Sequence, residues 1–425
     1  MSLTAIPVKV LESIIRDNLL EHLSSTGMLH SSQHGFLPGR SCTTQLMEVI
    51  EHWSAAMDDG DPVDVAYLDF AKAFDSVPHQ RLIQKLYAYG VRGKLLDWIT
   101  AFLLDRRQRV VVQGSRSDWV PVSSGIPQGS VLGPVLFTIF VNDMPLEVSS
   151  CVKLFADDTK LYRRILGSEC DDGLQADIDA LVQWSNKWLL PFNATKCKVM
   201  HMGHHNPELT YTLHGTPIEK TSEEKDLGII IDNHLNFHRQ TAAAVSKASQ
   251  MLAVVRRSFA NIDESTLPLL FRTMVRPLLE YGNTIWGPFG KVDQKRLERV
   301  QRRATRMVKS VRHLAYPDRL CSLGMPSLYY RRRRGDMVTV YQLIHGGMAM
   351  PPETFMTRNM TGQTRGHLWK LRKSRAKKLV RRNAFSTRIV NDWNSLPAAV
   401  VSAATVNQFK ARLDKHWGDV MFNIP

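Results

Sequence analysis

The sequence predicts an α+β fold on three observations. Amphipathic helical stretches interleave with short apolar runs bounded by turns, carboxylates stand at the ends of two of those runs, and the chain beyond about residue 236 is almost wholly helical in pattern.

The elements follow in order. Residues 7 to 25 read as a helix with Val10, Ile14, Ile15, Leu19, Leu20 and Leu23 on one face, and Thr43 to Met57 repeats that pattern before a turn at residues 58 to 62. Residues 63 to 68 form a strand-like apolar run that ends at Asp69, where a short helical stretch opens. His79 to Tyr89 and Gly93 to Leu104 are helical, and Arg109 to Gln113 pairs with Trp119 to Val122 as a hairpin around a loop at Gly114 to Asp118. Val131 to Val141 is about half the length of a membrane span and reads as a buried helix. An apolar hairpin turns at Asp157-Asp158, and an amphipathic helix from Asp171 to Leu189 packs beneath it. Phe237 to Phe259, Glu264 to Tyr281 and Val292 to Val311 are the later helices, with breaks at Gly282 and Gly287 to Gly290. There is no internal repeat.

At 425 residues the chain can bury two or three cores, and 44% hydrophobic with 22% charged residues is ordinary for a folded protein. No apolar run approaches a membrane span and no secretory signal is read. Cysteines at 42, 151, 170, 197 and 321 have no paired spacing, so neither a disulfide framework nor a zinc ribbon is expected. The expected location is intracellular, in nucleus or cytoplasm, without a membrane partner. Charge is unevenly placed: Lys and Arg number 27 against 32 Asp and Glu before residue 291, and 28 against 8 from there on. Two stretches concentrate the basic excess, Lys291 to Lys309 and Lys370 to Arg382, and such density favours the phosphate backbone of a nucleic acid over a merely solvated face. The second stretch also has the composition of a nuclear-localisation signal.

Asp157 and Asp158 carry the chemistry. Successive side chains of a strand point to opposite faces, so adjacent aspartates serve one site only at a turn or distortion. Two like charges held together raise a pKa unless a cation neutralises them. An isolated Asp-Asp is usually a solvated turn, but Asp69 ends a second strand-like run. Oxygen ligands from two strand ends are what a magnesium pair needs to activate a hydroxyl and hold a triphosphate.

These residues carry a family resemblance. Residues 33 to 41, Gln-His-Gly-Phe-Leu-Pro-Gly-Arg-Ser, resemble the second fingers block of non-long-terminal-repeat retrotransposon reverse transcriptases of the Jockey and chicken-repeat type. Residues 67 to 77 resemble their motif A, 125 to 134 motif B, 155 to 158 (Phe-Ala-Asp-Asp) motif C, 188 to 200 motif D and 227 to 232 motif E. Each is a weak pattern alone; six in the family's order are specific.

The resemblance implies a right-hand polymerase: partial fingers over 1–66, a palm with motifs A to E over 67–236, a helical thumb over 237–312 and a basic C-terminal extension over 313–425. It implies an RNA template, a DNA primer, deoxynucleoside triphosphates and two magnesium ions, with manganese an alternative. Asp69 and Asp157 would ligate the metals and Asp158 would support them; Phe70 would exclude the ribose 2'-hydroxyl, and Asp75 would be structural. The loop with Gly125, Pro127, Gln128 and Gly129 would approach template and nucleotide, Gln128 hydrogen-bonding one of them. Lys196, ahead of Lys198, would protonate the leaving pyrophosphate, and Arg40 is a candidate for the triphosphate. Cys197, His201, His204 and His205 have a spacing zinc can use, although motif D accounts for Cys197 without it. Residues 1 to 7 resemble the interior of the first fingers block, so the expectation is an N-terminally truncated copy without the upstream basic residues that contact the triphosphate. The alternatives are a nucleic-acid-binding remnant that cannot turn over, and template-independent or RNA-synthesising polymerisation on the same palm.

Overall fold

A computed structural model of the chain describes residues 4–166, 172–359 and 366–424; Cys170 and the start of the helix expected from Asp171 lie outside them. Contacts divide the chain into two compact units, Met1–Gln45 with Asp61–Thr221, and Leu46–Gly60 with Ser222–Pro425. Helix and sheet are mixed, as the pattern predicts.

The first unit is built on a five-stranded sheet: β1 (Val63–Leu68), β2 (Cys151–Phe155), β3 (Asp158–Arg164), β4 (Lys198–Met202) and β5 (Glu219–Thr221), in the order β5-β4-β1-β3-β2. Neighbours are antiparallel except β5 and β4. β1 is nearly all apolar because it is central and covered on both faces. Its one charge, Asp64, is fully buried and accepts hydrogen bonds from His201 Nδ1 (2.8 Å), Asn206 Nδ2 (2.7 Å) and the Tyr211 hydroxyl (2.6 Å), so the cost of burying it is offset. Leu68 pairs with Thr159 and Phe155 with Asp158, which brings the end of β1 beside the β2–β3 turn.

The Gly133–Val141 helix is buried along nearly its whole length, and the Gly173–Trp188 helix adds Leu174, Ile178, Leu181 and Trp184 to the same core. The Ile6–Ser25 helix forms as expected but with a different inward face. Leu19 and Leu23 are buried, whereas Val10 and Ile14 are 57% and 56% exposed and Glu12 is fully buried. The Glu12 carboxylate accepts the Val131 and Leu132 N–H groups (2.6 and 3.0 Å) at the start of the Gly133–Val141 helix, where unpaired donors and the helix dipole favour a negative charge. The hairpin before that helix is tighter than expected. Gln113 and Gly114 make a two-residue turn with positive φ at both positions, so Ser115–Arg116, expected in the loop, pairs with Val111–Val112.

The second unit is mainly helical. His238–Ser258, Lys291–Thr305 and Leu328–Ile344 are its longer helices beyond residue 222, and the third expected helix ends six residues short of Val311. The helix expected over 264–281 begins at Thr266 and is broken by a π turn at Phe271–Val275, just before Pro277. Proline has no N–H to continue the ladder, so the register slips there. Glu223–Asp226 and Ile229–Asp232 form a hairpin with Leu227 and Gly228 both at positive φ.

Five of the arginines after residue 330 are paired with carboxylates within this unit. Arg331 pairs with Glu280, Arg333 with Asp392, Arg334 with Asp414, Arg388 with Asp336 and Arg381 with Glu51. Asp58 caps the N–H groups of Lys377 and Lys378 (2.8 and 2.6 Å), so the 370–382 stretch is partly structural. The Lys291–Thr305 helix differs: its two carboxylates, Asp293 and Glu298, are buried, while Lys291, Lys295, Arg299, Arg302 and, one residue on, Arg306 are exposed. No described helix is long and apolar enough to cross a membrane.

Candidate active site

Asp69 directly follows β1, and a neighbouring loop fixes its backbone. Asn193 donates to the Asp69 carbonyl (2.7 Å), Ala71 donates to the Pro191 carbonyl (2.8 Å), and the Asp69 N–H points at the buried Cys197 sulfur (3.5 Å). Cys197 is therefore a packing partner of the aspartate, while His201 faces Asp64; the two do not converge on a metal.

Asp157 stands in the two-residue β2–β3 turn, after Ala156, whose φ of 56° is a left-handed value that turns of this kind normally assign to glycine. Burial pushes the Asp157 carboxyl above the usual range, the Asp69 charge pushes it further, and Lys196 opposes both. Lys196 Nζ lies 3.6 Å from Asp69 Oδ1, whereas Lys198 forms an ion pair with Glu219. Asp69, Asp157 and Lys196 thus form one electrostatic group. Asp158, the first residue of β3, is exposed, and no group of three or more potential metal-ligating side chains converges among the described residues. Asp69 and Asp157 nonetheless fit a divalent cation, which would offset the burial of the Asp157 charge and the repulsion from Asp69.

Phe70 does not face this group. It is 3% exposed and stacks on Phe192 at 4.5 Å, because successive side chains of extended chain alternate and Asp69 takes the carboxylate side. Sequence reasoning passed over Phe74, which is half-buried, stacks on Phe137 (4.6 Å) and accepts the Ile126 N–H at its carbonyl (2.7 Å). Gln128 and Gly129 are exposed at the tip of the Gly125–Ser130 loop. Gly125 is demanded by the chain itself: its φ is +88°, and the Asp75 backbone occupies the place of a Cβ. Arg40 is half-buried and donates from Nη1 to the carbonyls of Gln33 (2.8 Å) and Ser31, bracing its own loop.

Residues 1–231 match the reverse transcriptase (RNA-dependent DNA polymerase) family. The probable RNA-directed DNA polymerase from transposon BS of Drosophila melanogaster is 29% identical over 71% of this chain and 35% of its own length. The RNA-directed DNA polymerase from the mobile element jockey of the same organism is 28% identical over 71% of this chain and 34% of its own. The chain therefore spans about a third of the length of these curated relatives. A solved telomerase from Candida albicans, in complex with a telomeric RNA fragment, overlaps 71% of this chain and 56% of its own at 10% identity and a TM-score of 0.41, too loose a likeness to carry weight. With the family match covering more than half of its residues, this chain belongs to the reverse transcriptases.

Proposed function

We propose that the chain is the RNA-directed DNA polymerase part of a non-long-terminal-repeat retrotransposon protein, extending a DNA primer on an RNA template with deoxynucleoside triphosphates. The observation that carries this reading is that Asp69 follows β1 directly and Asp157 stands in the adjoining β2–β3 turn, with Lys196 Nζ 3.6 Å from Asp69 Oδ1. The five-stranded sheet would serve as the palm, the 31–40 loop as part of the fingers, the 223–232 hairpin as the primer grip and the helices after it as a thumb.

Asp69 and Asp157 would hold magnesium, which when bound supplies Lewis-acid activation of the primer 3'-hydroxyl and neutralises charge on the triphosphate. Lys196 stands beside the carboxylates and would give a proton to the leaving pyrophosphate. Gln128 is free to hydrogen-bond template or nucleotide from the loop tip, and Arg40 would need to turn from its loop carbonyls to meet a phosphate. Phe74, with an open side next to that loop, is better placed than Phe70 to meet the sugar. The outward cations of the Lys291–Thr305 helix would follow a nucleic-acid backbone.

A second reading, nucleic-acid binding without turnover, is favoured by the outward placement of Asp158. Primer extension on an RNA template with magnesium separates the two. The polymerase reading requires extension that Asp69→Asn and Asp157→Asn each abolish while RNA binding persists. Binding with no extension by the unaltered chain supports the second reading.

A further inference from the structure

Segment Ser32–Gly35 lies against the strand that leads into the Asp157 turn. The Leu154 N–H donates to the Ser32 carbonyl (2.9 Å) and the His34 N–H to the Leu154 carbonyl (2.8 Å), so the segment adds to the edge of β2 like a short strand. Between these bonds sits Gln33, whose side chain is wholly buried. Its Oε1 accepts from the Gly35 N–H at 2.8 Å and from the Ala156 N–H at 3.3 Å, and its Nε2 has no hydrogen-bond partner. A buried amide that leaves its donor unpaired is a costly choice where packing alone is required, since an apolar side chain of the same size leaves nothing unsatisfied.

The acceptor goes to a special place. Ala156 is a left-handed non-glycine residue, and such a conformation persists only where its surroundings over-determine it. The fit is close from the same side: a Cβ on Gly35 would lie 2.6 Å from the Ala156 nitrogen and 3.1 Å from the Phe155 carbonyl carbon. The residue held in this way immediately precedes Asp157.

We propose that Gln33 is a positioning residue for Asp157: by accepting the Ala156 N–H it fixes the left-handed turn that aims the carboxylate toward Asp69 and a bound divalent cation. This rests on the metal-binding reading above. Gln33 touches neither metal nor substrate; it acts through the turn.

The test is manganese binding by the full chain, followed by electron paramagnetic resonance of the free ion, with thermal unfolding as the check on folding. Gln33→Leu, which keeps the volume and removes the acceptor, is expected to weaken manganese affinity by about 10-fold or more, the scale on which losing a group that orients a metal ligand acts. RNA affinity should stay unchanged. Gln33→Glu, which keeps an acceptor oxygen at the same reach, should restore most of the loss. Gly35→Ala, pressing on the Ala156 nitrogen with Gln33 intact, should weaken manganese in the same direction and decides the matter if Gln33→Leu does not fold. A folded Gln33→Leu chain that binds manganese like the unaltered one overturns the proposal. An unaltered chain without manganese binding sensitive to Asp157→Asn overturns the metal reading itself, and the role of Gln33 with it.

Discussion

A Cβ on residue 125 would lie 2.7 Å from the carbonyl oxygen of Asp75, so Gly125 and Asp75 meet backbone to backbone. The contact locks the segment after Asp69 to the loop that presents Gln128, and the Gly125 N–H completes it by donating to the Val77 carbonyl (2.8 Å). Gly125→Ala combines a clash with a left-handed φ, and should cost roughly 2 kcal/mol or more in urea denaturation. An unchanged midpoint would mean that the loop moves freely, and would return Gly125 to a role in substrate approach.

Asp157 should trade stability for its position. Its folded pKa lies above the unfolded value, so the charged form is penalised in the fold at neutral pH, and the penalty fades as pH falls through the folded pKa. Asp157→Asn is therefore expected to raise the melting temperature of the metal-free chain at pH 7, with a smaller gain after magnesium is added. A lower melting temperature without metal would show that the carboxylate is satisfied by the protein alone.

Lys85 offers a pH signature away from this site. It is buried, donates to Asp143 Oδ1 and the Phe140 carbonyl (2.5 Å each), and lies 3.7 Å from the centre of the Trp188 ring. Desolvation brings its pKa down to about 8 from 10.5. The charged form is thus disfavoured in the fold below about pH 8, and that cost disappears as pH rises from about 8 to 10.5. Lys85→Met should flatten a rise in stability over that window, on the order of 3 kcal/mol at most. Identical pH profiles for the two chains would exclude the assignment.

Salt dependence should separate the two kinds of basic residue. Replacing Lys295, Arg299 and Arg306 together by alanine is expected to reduce the log-log salt slope of RNA affinity by about 2 to 3, because each lost phosphate contact removes close to one counterion. Arg334→Ala should leave the slope alone and destabilise the fold, since its carboxylate partner Asp414 stays behind. A changed slope for Arg334→Ala, with none for the triple variant, would reverse the assignment.

Phe70 and Phe74 make an internal contrast. Phe70→Ala opens a core cavity and should cost about 3 to 5 kcal/mol. Phe74→Ala should alter ribonucleotide against deoxynucleotide incorporation in primer extension more than it alters stability. Sugar discrimination untouched by Phe74→Ala would remove it from the substrate side.

The sequence was most informative where period and composition act locally. The helix over residues 7 to 25, the buried helix near Val135 and the hairpin that turns at Asp157 all stand within a few residues of expectation, because each is set by short-range patterning. Long-range partners were not legible. Glu12 has the pattern of a solvent-facing helix residue until Val131 and Leu132 supply its partners more than a hundred positions away. Gln33 and Ala156 are equally distant, and nothing in either residue type announces a strained turn. Phe70 shows the same limit locally: adjacency to Asp69 suggests a shared site, whereas the ring is buried against Phe192, as extended backbone sends neighbours to opposite faces.

The internal pairing of the Arg331–Arg334 run also bears on proteolysis. Trypsin recognises single arginines, and four in succession look like the most vulnerable point in the chain. A protease must take its substrate as extended chain, and these arginines lie within one helix, three of them bound to carboxylates. Cutting there would require that helix to open first, and its rate would report unfolding of the second unit. Arg107 and Arg116, exposed on the 107–121 hairpin, need no such opening and should be the early sites of a native digest.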